Sequence, residues 1–183
     1  MTHFEICILA GGQSRRMGRD KARLKLGGKT FLWLIKSAAR KTGARVRVIR
    51  RDLGPRRGPL GGILTGLKTS NAETILFLPC DMPFITSELL QLFARSASRS
   101  GPLFTQSGRG VGFPLLLPMT AMETVEAQLH QDDFSLQALA KALKARKLNL
   151  PARCRLELAN VNTPRKYERA CKQWSENRRP GRP

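Results

Sequence analysis

Thirteen residues near the N-terminus combine what an anion-binding loop needs, a backbone open to close approach and mobile positive charge. They read Leu9-Ala10-Gly11-Gly12-Gln13-Ser14-Arg15-Arg16-Met17-Gly18-Arg19-Asp20-Lys21. The glycines let main-chain N–H groups turn toward a phosphate with no Cβ in the way, while Arg16 and Lys21 supply cations. Further along, Asp81 follows the apolar run Thr74 to Pro79, and a carboxylate at the end of a buried parallel strand lies where such sheets place their ligands. Asp52 stands before a Gly- and Pro-rich stretch that includes Gly58-Pro59-Leu60-Gly61-Gly62, where glycines around a helix start leave room for a ligand. Asn160 and Asn162 flank Val161 just ahead of Thr163-Pro164, a pattern that on its own also serves to make a turn.

Two familiar phosphate loops are excluded by spacing. A P-loop requires Gly-x-x-x-x-Gly-Lys-Ser/Thr, and here no hydroxyl follows the lysine. The dinucleotide fingerprint Gly-x-Gly-x-x-Gly fails because Gly11 and Gly12 are adjacent. Residues 9 to 21 instead resemble, without a gap, the Leu-Ala-Gly-Gly-x-Ser-x-Arg-Met-Gly-x-Asp-Lys signature of nucleotidyltransferases. With Gly-Gly in place of Ala-Gly, the chain is most similar to the molybdenum cofactor guanylyltransferase family. Gly58-Pro59-Leu60-Gly61-Gly62 resembles that family's second motif and Asn160-Val161-Asn162-Thr163-Pro164 its third, so the likeness spans nearly the whole chain. The segment before Asp52 is shorter than in the family, and Phe113-Pro114 stands where a His-Pro pair is common.

The resemblance implies a reaction: GMP moves from GTP to the phosphate of molybdenum-bound molybdopterin, and pyrophosphate leaves. It implies catalytic roles for Arg16, Lys21 and Asp81, with Asp81 holding Mg²⁺. Nucleotide and acceptor contacts would come from Leu9, Ala10, Gly11, Gly12, Ser14, Lys21, Asp52, Gly61, Asp81, Asn160 and Asn162. Acidic acceptor molybdoenzymes or their chaperones are the partners it suggests. The residues alone also allow the same fold using CTP or a sugar-phosphate acceptor, a non-catalytic basic nucleic-acid binder, or a cofactor carrier.

The elements that must position these groups follow a βαβ pattern. Ile6 to Leu9 is predicted as a strand, and Ala22 to Gly28 alternates with Leu24 and Leu26. Thr30 should cap a helix with Leu32, Ile35, Ala38 and Ala39 on one face, ended by Gly43, before a strand over 46–49. Pro59 should open a helix through Ile63 and Leu67, and 74–79 should be a strand covered on both faces. Thr86 or Ser87 should cap a helix through Phe93. Residues 103–105 and 113–117 should pair across a polar turn, 119–130 and 135–146 have helical spacing, 155–159 alternates as a strand, and 164–177 should be the last helix. The expected fold is α/β, a three-layer α/β/α sandwich with a Rossmann-like, mostly parallel sheet and an antiparallel edge, like the nucleotide-diphospho-sugar transferases.

Length and composition frame this reading. A chain of 183 residues suits one domain, expected over 1–177, with a basic and disordered tail at 178–183. No apolar run of about 18 residues exists to cross a membrane. Met1-Thr2-His3-Phe4-Glu5 has no basic stretch ahead of a hydrophobic one, which argues against a signal peptide and for the cytoplasm. Cys7, Cys80, Cys154 and Cys171 are too scattered for a zinc site or a disulfide framework, and Cys7 and Cys80 are expected to be buried. The net charge of +20 favours anionic partners, but one Tyr and two Trp make few stacking platforms, so nucleic acid is expected to bind only non-specifically.

Overall fold

The computed structural model describes residues 4–11, 21–55, 57–97 and 101–177. The chain starts as β1 (Phe4–Leu9) and returns, after a 3-10 turn at Lys21–Arg23, as a small hairpin of β2 (Lys25–Leu26) and β3 (Lys29–Thr30). Gly27 and Gly28 turn it with φ of +55° and +80°, the left-handed pair that a two-residue hairpin requires. The alternation of Leu24 and Leu26 therefore becomes a short hairpin rather than a strand of the main sheet. Next come α1 (Phe31–Arg40), β4 (Arg45–Ile49), α2 (Gly58–Lys68), β5 (Thr74–Pro79) and α3 (Ser87–Ala97). The second half adds β6 (Leu103–Ser107), β7 (Gly110–Pro118), α4 (Met122–His130), α5 (Leu136–Ala142), β8 (Arg146–Leu148) and α6 (Pro164–Asn177).

The caps expected from the sequence are made. Thr30 accepts from the Trp33 amide at 3.1 Å, Thr86 from Leu89 at 3.2 Å, Ser135 from Gln137 and Ala138, and Thr163 from Lys166 at 3.3 Å. Gly43 takes φ +79° just past α1, as a helix stop does.

Six strands form one sheet in the order β4-β1-β5-β7-β6-β8. β4, β1 and β5 are parallel, β7 runs antiparallel between β5 and β6, and β8 lies parallel to β6 at the margin. All strands but β7 thus point their carboxyl ends to one edge. The chain steps from β1 out to β4, then back across β1 to β5. Right-handed crossovers in opposite directions put α1 and α2 on opposite faces. The core shows this division: Cys7, Ile75, Phe77 and Leu115 pack toward α2, α4 and α5, while Ile6, Ile8, Leu76, Leu78 and Leu116 pack toward α1 and α3. Alternate residues of one strand feeding two cores explain why β5 is an unbroken apolar run. Cys7 is fully buried, whereas Cys80, just past β5, is half-buried.

Two expectations from the second half are corrected. Residues 155–159 are not a strand: Ala152–Arg155 is a 3-10 turn, and the Leu158 amide bonds to the Cys154 carbonyl at 3.1 Å, an i to i−4 link. The main-chain bonds close locally within this segment, the Cys154 amide onto the Pro151 carbonyl at 2.9 Å and the Ala159 amide onto the Leu156 carbonyl at 3.0 Å, so no ladder to a neighbouring strand is formed. The helix expected over 135–146 stops at Ala142, because Lys144 adopts φ +49° and the chain then enters β8, which takes the sheet margin.

Candidate active site

β1 leaves the sheet where the strand order reverses, with β4 on one side and β5 on the other, the crevice in which open α/β sheets bind ligands. Both neighbours hold its exit: the Ala10 amide donates to the Ile49 carbonyl at 2.7 Å, and the Cys80 amide donates to the Leu9 carbonyl at 3.0 Å. At Gly11 a Cβ would lie 2.8 Å from the Arg50 carbonyl oxygen, so only glycine lets the loop pass the β4 exit. The loop then leaves the described residues, and the expected contributions of Gly12, Ser14 and Arg16 fall there.

The chain comes back into description at Lys21, whose Nζ lies 3.0 Å from Asp81 Oδ2. The side chains are 22% and 15% exposed, shielded from bulk water yet reachable by a ligand. Asp81 owes its place to the end of β5. Its own carbonyl accepts from the Val161 amide at 2.8 Å, which fastens the Asn160-Val161-Asn162 segment beside it. Val161 is buried with Leu24, Leu26 and Phe31, while Asn160 is exposed and Asn162 half-buried. Three stretches far apart in sequence therefore meet at one strand end.

Asp52 lies on the other side of β1. Its carboxylate is set against the first turns of α2, where a Cβ on Gly61 would come within 2.7 Å of Oδ2. A Cβ on Gly62 would come within 3.1 Å of the Leu9 side chain. The Leu53 amide donates to Thr65 Oγ1 at 2.9 Å, and that hydroxyl donates to the Gly61 carbonyl at 2.9 Å, so the Asp52 loop is pinned to the helix. Leu9, Asp52 and Gly61 form one cluster, Lys21, Asp81 and the Asn160 to Asn162 segment a second, and Ala10-Gly11 runs between them. The sequence reading missed Gly62 and Thr65. The signal was available in part, because two adjacent glycines inside a helix cost about 1 kcal/mol each and ask for a close neighbour.

The donor set suits a hard divalent cation. Among the described residues no group of three or more His, Cys, Asp or Glu side chains is arranged to hold a metal. A single half-buried carboxylate fits a cation that takes one or two carboxylates and completes its shell with substrate phosphates and water.

Comparison with known proteins agrees with this fold. The fold matches molybdopterin-guanine dinucleotide biosynthesis protein A from Archaeoglobus fulgidus at TM-score 0.73 and 18% identity, covering 94% of this chain and 99% of that one. That likeness establishes the fold. Residues 6–148 match the family model described as MobA-like NTP transferase domain, and the chain belongs to that family. A probable molybdenum cofactor guanylyltransferase from Opitutus terrae is 33% identical over 88% of this chain and 92% of its own length. A molybdenum cofactor guanylyltransferase from Xanthomonas euvesicatoria is 32% identical over 88% and 91%.

Proposed function

We propose that this chain transfers GMP from GTP to the phosphate of molybdenum-bound molybdopterin, acting in the cytoplasm as one nucleotidyltransferase domain over residues 1–177. The observation that carries the reading is the Lys21–Asp81 contact at the switch point of the sheet, where the first and third motifs meet. An oxygen of the acceptor phosphate attacks the α-phosphorus of GTP, a new P–O bond forms, and the bond from that phosphorus to the bridging oxygen breaks, releasing pyrophosphate. A phosphate monoester has a second pKa of about 6 and is already mostly dianionic near neutral pH, so no general base is required.

What such a reaction requires is alignment of two anions and compensation of charge developing between them. Lys21 and Arg16 would grip the triphosphate, with the backbone of Gly11 and Gly12 and the Ser14 hydroxyl against it. Leu9 and Ala10 would border the base, and Asp52 and Gly61 would contact the nucleoside from the α2 side. Asn160 and Asn162, on the far side of Asp81, would face the acceptor. Asp81 would hold Mg²⁺, which would supply positive charge against the developing charge of the triphosphate. Until substrate arrives, Lys21 keeps that carboxylate paired. Acidic acceptor molybdoenzymes or their chaperones are the macromolecular partners that a basic surface suits, and nucleic acid would bind only through non-specific charge.

Incubation with Mg²⁺, molybdenum-bound molybdopterin and each of the four nucleoside triphosphates tests the reading. Pyrophosphate and a guanylated product should appear with GTP. A cytidylated product with CTP alone, or no nucleotidylated product at all, overturns it.

A further inference from the structure

The last helix belongs to neither core of the sheet. Residues 6–148 carry the family match, and α6 lies beyond them. Among the described residues, α6 contributes nothing to the two apolar clusters on the faces of the sheet. Its own apolar stripe, Tyr167 through Ala170 to Trp174, has the three- and four-residue spacing of one helix face and goes to a third, smaller cluster around Leu24, Leu26 and Phe31.

That cluster lies under both arms of the Lys21–Asp81 pair. On the Lys21 side, the Leu24 amide donates to the Lys21 carbonyl at 3.2 Å, and the Tyr167 hydroxyl donates to the carbonyl of the next residue, Lys25, at 2.8 Å. Trp174 rests on the hairpin turn itself. A Cβ on Gly27 would lie 2.1 Å from the indole Nε1, so only glycine lets the ring reach the backbone there. On the Asp81 side, Val161 joins the same cluster while its amide holds the Asp81 carbonyl at 2.8 Å. Phe84 stands three residues after Asp81, and its ring is 6.1 Å from that of Trp174, tilted by 47°. One indole thus braces both the hairpin that follows Lys21 and the turn that follows Asp81.

We infer that α6 is a strap that sets the spacing of Lys21 and Asp81, with Tyr167 and Trp174 as positioning residues for the transfer. The inference depends on the proposed guanylyl transfer for what the pair does, and on this chain's own packing for how the pair is held. Lys21 opens a three-residue 3-10 turn and Asp81 lies in a turn past β5, so neither is fixed by a strand or a long helix. Their separation is decided by what packs beneath those turns, and a displacement of about 1 Å in such a group costs on the order of a hundredfold in rate.

The test uses the full chain, with circular dichroism and thermal unfolding to confirm that each variant is folded. Tyr167→Phe removes the hydroxyl alone and should lower kcat for pyrophosphate release about two- to tenfold. In a Lys21→Ala background the same change should cost nothing further, because a residue that acts through Lys21 then has nothing to position. Trp174→Ala should lower kcat on the order of ten- to a hundredfold at a temperature well below its unfolding, and Trp174→Phe, which keeps a ring against Phe84, should restore most of that. A side chain that only stabilised the fold would move the unfolding temperature and leave kcat of the folded protein as it was. Equal losses from Tyr167→Phe in the two backgrounds, or an unchanged kcat in folded Trp174→Ala, overturn the inference. Equilibrium dialysis of GTP repeats the comparison without turnover, and the Tyr167→Phe loss in affinity should again vanish in Lys21→Ala. If it does, and yet the unsubstituted protein forms no guanylated product, guanylyl transfer falls while the strap stands.

Discussion

Lys21 and Asp81 neutralise each other across 3.0 Å, and in the proposed reaction each exchanges that partner for substrate charge. Removing one such preorganised charge costs on the order of 10²–10³ in rate where it has been measured. Asp81→Asn and Lys21→Ala should therefore each lower kcat by at least about a hundredfold in a pyrophosphate-release assay, with thermal unfolding little changed. A loss below about tenfold in either would remove that residue from the machinery. Cys7 offers a residue-scale prediction unrelated to catalysis. Burial pushes its thiol from 9.0 up to about 12, with Arg47 acting to lower it and Glu5 to raise it. A pKa higher in the folded than in the unfolded chain means that folding holds the proton more tightly. Its contribution is then complete below pH 9 and is lost as pH rises toward 12. Urea midpoints at pH 8 and 10.5 should fall less in Cys7→Ala than in the parent chain, and equal falls would contradict this.

At the scale of elements, α2 carries glycines that look alike in the sequence but have different neighbours. A Cβ at Gly66 would lie 2.6 Å from the Phe77 ring and 3.2 Å from Cys7 Sγ, both fixed inside the core, so glycine here sets how closely α2 approaches β1 and β5. Gly66→Ala should cost about 1–3 kcal/mol in chemical denaturation. A Cβ at Gly61 would meet the Asp52 carboxylate, which is half-buried and can swing away. Alanine is also the better helix former. Gly61→Ala should therefore leave stability near its original value and raise the KM for GTP. A variant pair with the two effects interchanged would disprove the placement of Asp52 on the nucleotide side.

Across the whole molecule, the framework that carries the site is fastened by a buried charge at the amino end of β1, opposite the site. Glu5 is 1% exposed and receives the Arg47 Nε, with Arg45 Nε 3.7 Å from its other oxygen. Arg47 also donates to the Gly66 carbonyl at 2.8 Å and to the Thr69 carbonyl at 3.1 Å, joining β1, β4 and the end of α2. Removing one member of such a pair strands the other, at a cost of about 3–5 kcal/mol. Arg47→Ala should show that loss in urea denaturation, and a loss under about 1 kcal/mol would mean that Glu5 finds water or another partner.

Periodicity and turn chemistry were sufficient for most of the framework. The apolar runs at 6–9 and 74–79, the Thr30, Thr86, Ser135 and Thr163 caps, Pro59 and Gly43 specify their elements through neighbours a few residues away. The motif at 9–21 likewise pointed to the family, because glycine spacing and charge are local properties. The sequence did not disclose β8, the helical turns over 152–158 in place of the strand expected at 155–159, or the Glu5–Arg47 pair. Each of these depends on which segment occupies the sheet margin or the space beneath a helix, and that is settled by competition between parts of the chain distant in sequence. Only the tertiary structure could bring Lys21 to Asp81 and lay Val161 across its carbonyl. Those contacts cross 60 and 80 residues, and they exist because β1 and β5 are adjacent and parallel.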